Sequence, residues 1–315
     1  MVKLDTTGWK ILSELDRDCR QPHQQIARKL NVSKDVIHYR TKQLEKEGII
    51  QYYYTIINNN KLGLTNYRIY IKLTRTDLEK EQEIIDHLRN HPHITFLMLP
   101  SPYYNVGIML SEHNEGRAYD ILHDIKKKYK PYIQEIEVAT FTKVYHFTKK
   151  HLTGQPSSTT YYLDVHQPEE TVTETEQELL KRIANNARIH IIQLARELGI
   201  NHKTAQSHLK RLERTGIIQG YRAMIDISKL GYTYYKIDLE LETMDDYPKL
   251  LEYCKGHLNT TYINETIGGK DFEFEVEVKS QHQLNRIIKE VKSLVVVKQL
   301  WIHVFGDYYQ KLRYR

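Results

Sequence analysis

The chain repeats itself. Sliding the 315-residue sequence by 168 places lays residues 4–63 on 172–231 without a gap. Gln25, Ala27, Arg28 and Leu30 recur as Gln193, Ala195, Arg196 and Leu198. Leu44, Glu45, Gly48, Ile49 and Ile50 recur as Leu212, Glu213, Gly216, Ile217 and Ile218, and Leu62-Gly63 as Leu230-Gly231. Any fold assigned to one half must therefore serve the other. The repeat divides the chain into units at 1–63, 64–150, 172–231 and 232–315. Between them, 151–171 ("HLTGQPSSTTYYLDVHQPEET") is rich in Gly, Pro, Ser and Thr and reads as a linker. Within it, Tyr-Tyr-Leu suits a short strand over 160–165.

Each repeat opens with three helical patterns. In the first copy Trp9, Ile11, Leu12 and Leu15 fall at helical spacing, and a short helix follows over 24–30. Ser33 stands as an N-cap before a third helix that runs to about Lys46, and Gly48 supplies the left-handed terminator. "IIQYYYTII" then continues as a β-rich stretch, so the unit reads as a winged helix-turn-helix with a two-stranded wing. Each repeat closes with β-α-β-β-α-β, the ferredoxin-like order. The strands are expected near 66–75, 94–100, 103–111 and 133–147, and near 233–243, 260–267, 271–279 and 296–308. The fold class is α+β. "FEFEVEV" alternates strictly, giving one apolar and one charged face.

Charge separates these units. The chain has 46 Lys+Arg against 40 Asp+Glu, but residues 1–63 hold 11 against 7 and residues 172–231 hold 10 against 6. The cationic excess therefore sits in the two helix-turn-helix units, where phosphate neutralisation would use it. The inward line of the third helix is Ile37, Thr41 and Leu44, or Ala205, Leu209 and Leu212. The opposite face then presents Lys34, His38, Tyr39, Lys42 and Lys46 in one copy and His202, Lys203, Gln206, Ser207, Lys210 and Arg211 in the other. Gln206 has the geometry for adenine, His38 can donate or accept in a groove, and the lysines and Arg211 suit phosphates.

With these residues in place, both halves resemble the Lrp/AsnC (feast/famine) transcription regulators. The resemblance rests on Ser33, Arg40, Leu44-Glu45, Gly48, Ile49-Ile50 and Leu62-Gly63, and on "GIIQGYRAMIDISKLGY" in the second copy. The second copy departs from the pattern at Asn201 and His208. The tandem arrangement resembles the fused double regulators of archaea. The resemblance implies a DNA-binding surface that includes Ser33 and Arg40 with the residues above. It also implies a ferredoxin-like (RAM-type) unit that senses an amino acid or related metabolite through a Gly-x-x-Asp loop. Gly268, Gly269 and Asp271 match that loop, whereas Ser101, Pro102 and Tyr104 stand at the corresponding places in the first copy. Glycines let backbone N–H groups approach a carboxylate, and an Asp can hold an ammonium.

Other classes fit less well. Two distant cysteines, Cys19 and Cys254, exclude a disulfide framework and a four-thiolate zinc site. His87, His91 and His93 lack a completing ligand, and Pro92 breaks their helix, so no metal and no cofactor are expected. No apolar run approaches a membrane span, and the charged start lacks a secretory pattern, so a cytoplasmic protein is expected. Siroheme decarboxylases resemble the same two-unit architecture. They would need a His- and Arg-rich pocket, and the loops "LPSPYYN" and "TIGGKDF" offer neither residue. The partner expected is double-stranded DNA. The two ferredoxin-like sheets are expected to pack on each other as an intramolecular pseudo-dimer, with outer edges left for homo-oligomers.

Overall fold

The computed structural model describes residues 4–155 and 160–310, with side chains to residue 306. The first head contains α1 (Thr6–Arg17), α2 (His23–Leu30), α3 (Lys34–Lys46) and β1 (Ile50–Ile57). The Asp5 carboxylate accepts from the Gly8 N–H at 2.9 Å to start α1, and the Ser33 hydroxyl accepts from Val36 N–H at 3.2 Å to start α3. Gly48 ends α3 at φ 66°, as Gly216 ends its counterpart at φ 73°, a region that a side chain would strain. The first ferredoxin-like unit follows as β2 (Thr65–Leu73), α4 (Leu78–Asn90), β3 (Ile94–Ser101), β4 (Val106–Glu112), α5 (Glu115–Tyr129) and β5 (Ile133–Phe147). A short β6 (Thr160–Asp164) leads to the second head: α6 (Glu174–Ile183), α7 (Ile191–Glu197), α8 (His202–Arg214) and β7 (Ile218–Ile225). The second ferredoxin-like unit is β8 (Thr233–Leu241), α9 (Tyr247–Gly256), β9 (Thr260–Ile267), β10 (Phe272–Val278), α10 (Gln281–Leu294) and β11 (Val297–Gln310). Among the described residues no helix is long and apolar enough to cross a membrane.

The wing differs from its expected form. Neither head builds a two-stranded wing of its own. Instead β1 pairs antiparallel with β7 of the other head. The run from Ile50 to Ile57 holds no Gly, Pro, Asn or Asp to turn it back, so it stays one straight strand and finds its partner elsewhere. Tyr54 lies opposite Arg222, and these two positions are equivalent under the 168-residue shift, so a local two-fold passes between them. The heads also share one apolar core: Ile11, Leu15, Ile37 and Leu44 join Leu179, Leu180, Leu212 and Ile217.

The two ferredoxin-like sheets run β5-β2-β4-β3 and β11-β8-β10-β9. Their edges pair with each other, β3 with β11 and β9 with β5, so eight strands close into a ring. This corrects the expectation of sheets with free outer edges; those edges are consumed inside the chain. Helices α4 and α5 cover one outer arc through Ile84, Leu88, Ile121 and Ile125, and α9 and α10 cover the other through Leu250, Leu284, Ile287 and Val291. With the apolar positions turned outward to the helices, the alternate positions must face the ring interior. The linker is no free coil in its described part: β6 adds to the C-terminal half of β5, Tyr161 is buried, and Asn58 donates to Gln167 at 2.8 Å.

Because the head core is shared, Leu179→Ala should cost about 2–5 kcal/mol and lower amide protection in α3 as well as in α6 and α8. Native-state hydrogen exchange checks this; loss confined to the second head would show two separate cores.

Candidate nucleic-acid interface and ring interior

Burial divides the residues of α3 and α8 as their periodicity requires. Ile37, Thr41, Leu44, Ala205, Leu209 and Leu212 are buried. Lys34, His38, Tyr39, Lys42 and Lys46 are exposed on α3, as are His202, Lys203, Gln206, Ser207 and Lys210 on α8. Tyr39 keeps 68% of its surface, a large ring held in water. His38 sits beside His23, ring centroids 5.6 Å apart, and Lys42 meets Glu45 at 2.9 Å.

Three expected contact residues have other partners. Ser33 spends its hydroxyl on the α3 cap. Arg40 forms a two-pronged pair with Asp5 at 2.8 and 3.0 Å, tying α3 to the start of α1. Arg211 lies across Glu176, donating through Nε at 2.6 Å, and also donates to the Thr171 carbonyl. Arg40 and Arg211 therefore act as braces within the heads, each guanidinium paired with a carboxylate at the start of the first helix. His208, at the position equivalent to Arg40, bonds the same Glu176 at 3.0 Å. In both heads that position of the recognition helix is braced to the start of the first helix.

Glu176 also closes the capping box of α6 with Thr173. Burial alone would raise its pKa, but the bonds from Arg211, the Thr173 N–H and His208 outweigh burial and hold it at about 2. Glu277, buried inside the ring, is likewise held at about 2 because Lys149 and His151 outweigh its burial.

The ring interior is ionic. The Arg68 guanidinium grips Glu273 with both prongs, one at 2.8 Å. Lys236 reaches the same carboxylate at 3.1 Å and pairs with Asp238. His303 Nε2 meets Asp238 Oδ2 at 3.1 Å. Burial and the Arg68 charge disfavour protonated Lys236, yet Asp238 and Glu273 prevail and raise its pKa. Sequence reasoning missed this cluster. The signal was present: Arg68 and Lys236 are equivalent under the repeat, alternating with apolar residues in "YRIYIKL" and "YKIDLEL". The ring takes its basic residues from strands rather than from loops.

Between β9 and β10, the loop expected to hold a ligand is already occupied by its own structure. The Asp271 carboxylate accepts from the Leu241 N–H at 2.8 Å. Gly268 takes φ 84° against the Val138 carbonyl, and a Cβ at Gly269 would collide with the Thr266 hydroxyl and the Glu273 carboxylate. None of the three lines the nearby cavity of about 200 Å³; Lys270 does, with Tyr103 and Tyr104 from the first copy's loop, and Trp301 and His303 from β11. Ser101 and Pro102 are exposed beside it. A second cluster joins the ring to the heads: buried Arg222 of β7 bonds Asp16 of α1 and His146 of β5. Burial, then the Arg222 charge, keeps His146 far below its ordinary pKa. Among the described residues no group of three or more His, Cys, Asp or Glu is placed to hold a metal ion.

Residues 4–51 and 172–219 each match a family described as winged helix-turn-helix DNA-binding. The regulatory protein AsnC of Haemophilus influenzae is 24% identical over 122 residues, 39% of this chain and 81% of that protein. The HTH-type transcriptional regulator LrpA of Pyrococcus horikoshii is 34% identical over 93 residues, 29% of this chain and 63% of that one. The chain is a tandem relative of the Lrp/AsnC-family regulators. An uncharacterized HTH-type transcriptional regulator of Pyrococcus horikoshii is similar too, 23% identical over 125 residues, 38% of this chain and 80% of its own length. Across the whole length, the solved structure of the siroheme decarboxylase NirDL superposes with a TM-score of 0.67, covering 98% of this chain and 93% of that one at 13% identity. At that identity the likeness concerns the fold: two Lrp-like halves in one chain.

Both carboxylates held near pH 2 lie below the ordinary value of 4.5. The unfolded chain takes up protons first, so their contribution is complete above about pH 4.5 and is lost as pH falls toward about 2. The urea midpoint should drop across that window. Glu176→Gln should be less stable at neutral pH and should fall less steeply on acidification; an equal fall would remove Glu176 from the acid response.

Proposed function

We propose that the protein is a sequence-specific, double-stranded DNA-binding transcription regulator. The observation that carries this reading is the pair of exposed faces on α3 and α8, with Lys34, Lys42 and Lys46 on one and Lys203 and Lys210 on the other. The β1–β7 pairing holds them in one body about a local two-fold. Two helices related in this way suit successive half-sites on a duplex, with side chains from the N-terminal part of each helix meeting base edges. The Lrp/AsnC relatives support the same reading.

An amino-acid effector, implied by the family resemblance at Gly268, Gly269 and Asp271, would share the exposed Asp271 carboxylate with the Leu241 amide, which uses Oδ2 and leaves Oδ1 for an ammonium. Homo-oligomers would form through surfaces other than the consumed strand edges.

A second reading, an enzyme acting on an iron tetrapyrrole, draws on the full-length likeness to NirDL and on the buried His303–Asp238 pair beside a cavity. The cavity argues against it. Its walls carry Glu135, Glu137 and Asp238 against Lys72 and Lys270, a poor match for a polycarboxylate. Mixing the protein with an iron porphyrin and recording the absorption spectrum separates the two: a shifted band that saturates at one equivalent would favour the enzyme.

If the lysines meet phosphates, log affinity for duplex DNA falls linearly with log salt. Replacing Lys42 and Lys210 by Ala should lower that slope by about 2 and weaken all duplexes alike. Arg211→Ala should instead lower thermal stability, since it unbraces α8. A salt-independent affinity would place DNA elsewhere.

The two heads differ where bases would be met, His38 and Tyr39 against Gln206 and Ser207. One chain should therefore prefer a site with unlike halves. Selection from a random duplex pool should return such a site, and Gln206→Ala should relax one half only, by about 1–3 kcal/mol at the affected base. Convergence on a perfect short palindrome bound by one chain would show that the heads read alike.

A further inference from the structure

We propose that the cavity at the loop end of the ring binds a small organic ammonium ion, in the slot that Lys270 now fills. The structure already shows an ammonium there. Lys270 Nζ stands 4.7 Å from the centroid of the Trp301 ring and 3.7 Å from Glu137 Oε2. An aromatic face beside a carboxylate is the environment that holds a cation by quadrupole and charge together. Tyr104 donates its hydroxyl to the same Glu137 at 3.0 Å and so orients that carboxylate.

A buried ring borders the same space. His303 is 2% exposed and lines the cavity. Its Nε2 meets the Asp238 carboxylate at 3.1 Å, while Nδ1 has no hydrogen-bond partner among the described residues. A carboxylate only accepts, so Nε2 donates to it and the ring is fixed at the cavity wall. Glu137 thus offers the acceptor to an ammonium, and the rings of Tyr103, Tyr104 and Trp301 line the space beside it.

The cavity charge fits a cation rather than a zwitterion or an anion. Asp238 is paired with Lys236, so displacing Lys270 leaves Lys72 against Glu135 and Glu137, a net negative wall. A volume of about 200 Å³ suits an amine of a handful of heavy atoms. Lys270 rides on the β9–β10 turn, so an entering amine would free that turn from the ring. This inference does not depend on DNA binding, and its test contains no DNA.

The experiment is calorimetric titration of the full chain with butylamine and putrescine, and with L-leucine and succinate for comparison. The amines are expected to bind, with leucine and succinate at least about tenfold weaker. Glu137→Gln should weaken the amines by about tenfold or more, and Lys270→Ala should strengthen them by vacating the slot. Trp301→Leu leaves the charge unchanged and should also weaken the amines, which separates a specific slot from general surface charge. Should Glu137→Gln fail to fold, Lys270→Ala carries the test alone. Amines that give no heat, leucine or succinate binding more tightly than the amines, or an amine affinity unchanged by Lys270→Ala would overturn the proposal.

Discussion

A strand edge carries N–H and C=O groups that must find partners, and an unanswered edge invites other chains. Each ferredoxin-like unit here has two such edges, and the chain answers all of them internally by pairing β3 with β11 and β9 with β5. Ring closure depends on both units being present, in antiparallel register, at the concentration that a single chain enforces. Once the ring is closed, the helices have only the outside left to cover, and the alternate side chains have only the inside.

That inside is where the electrostatics concentrate. Arg68 and Lys236 are equivalent cations from the two copies, brought face to face by the local two-fold. Like charges so placed would repel, and each would pay heavily for leaving water. Glu273 lies between them and serves both, and Asp238 adds a second carboxylate to Lys236. Strict symmetry would have defeated this arrangement: the second copy carries Asp238 where the first has Tyr70. Divergence after duplication therefore has a structural meaning, since the interior of a pseudo-symmetric ring needs unlike residues at like positions.

The heads follow the same logic in milder form. They share a core and a strand pair, and Arg222 anchors that pair to both α1 and β5. Its counterpart Tyr54 carries no charge to anchor. Arg40 and Arg211 brace the recognition helices against the helices behind them. The lysines are left to face solvent, which is the condition for meeting a polyanion. Cations with a carboxylate on the adjacent helix became framework, and cations without one remained available.

Much was legible in the residues alone. The 168-residue shift disclosed the duplication, the spacing of Ile37, Thr41 and Leu44 fixed which face of α3 turns inward, and Gly48 marked its end, because these are local properties of period and backbone conformation. The ferredoxin-like order followed from alternation for the same reason. What alternation cannot say is what lies opposite each face. Nothing local in "IIQYYYTII" names Ile218–Ile225 as its partner, and nothing local in "FEFEVEV" says that its glutamates face a sealed ring rather than water. The exposed candidates Lys34, Lys42, Lys203 and Lys210 could be read from one helix at a time, whereas the partners of Arg40, Arg211 and Asp271 belong to other elements. Strand pairing joins residues as much as 214 positions apart, as Gln310 and Phe96 are, and ion pairing joins Arg222 to Asp16 across 206. The sequence determined the elements and their faces; only the closure of the ring and the union of the heads decided which charges would be buried together.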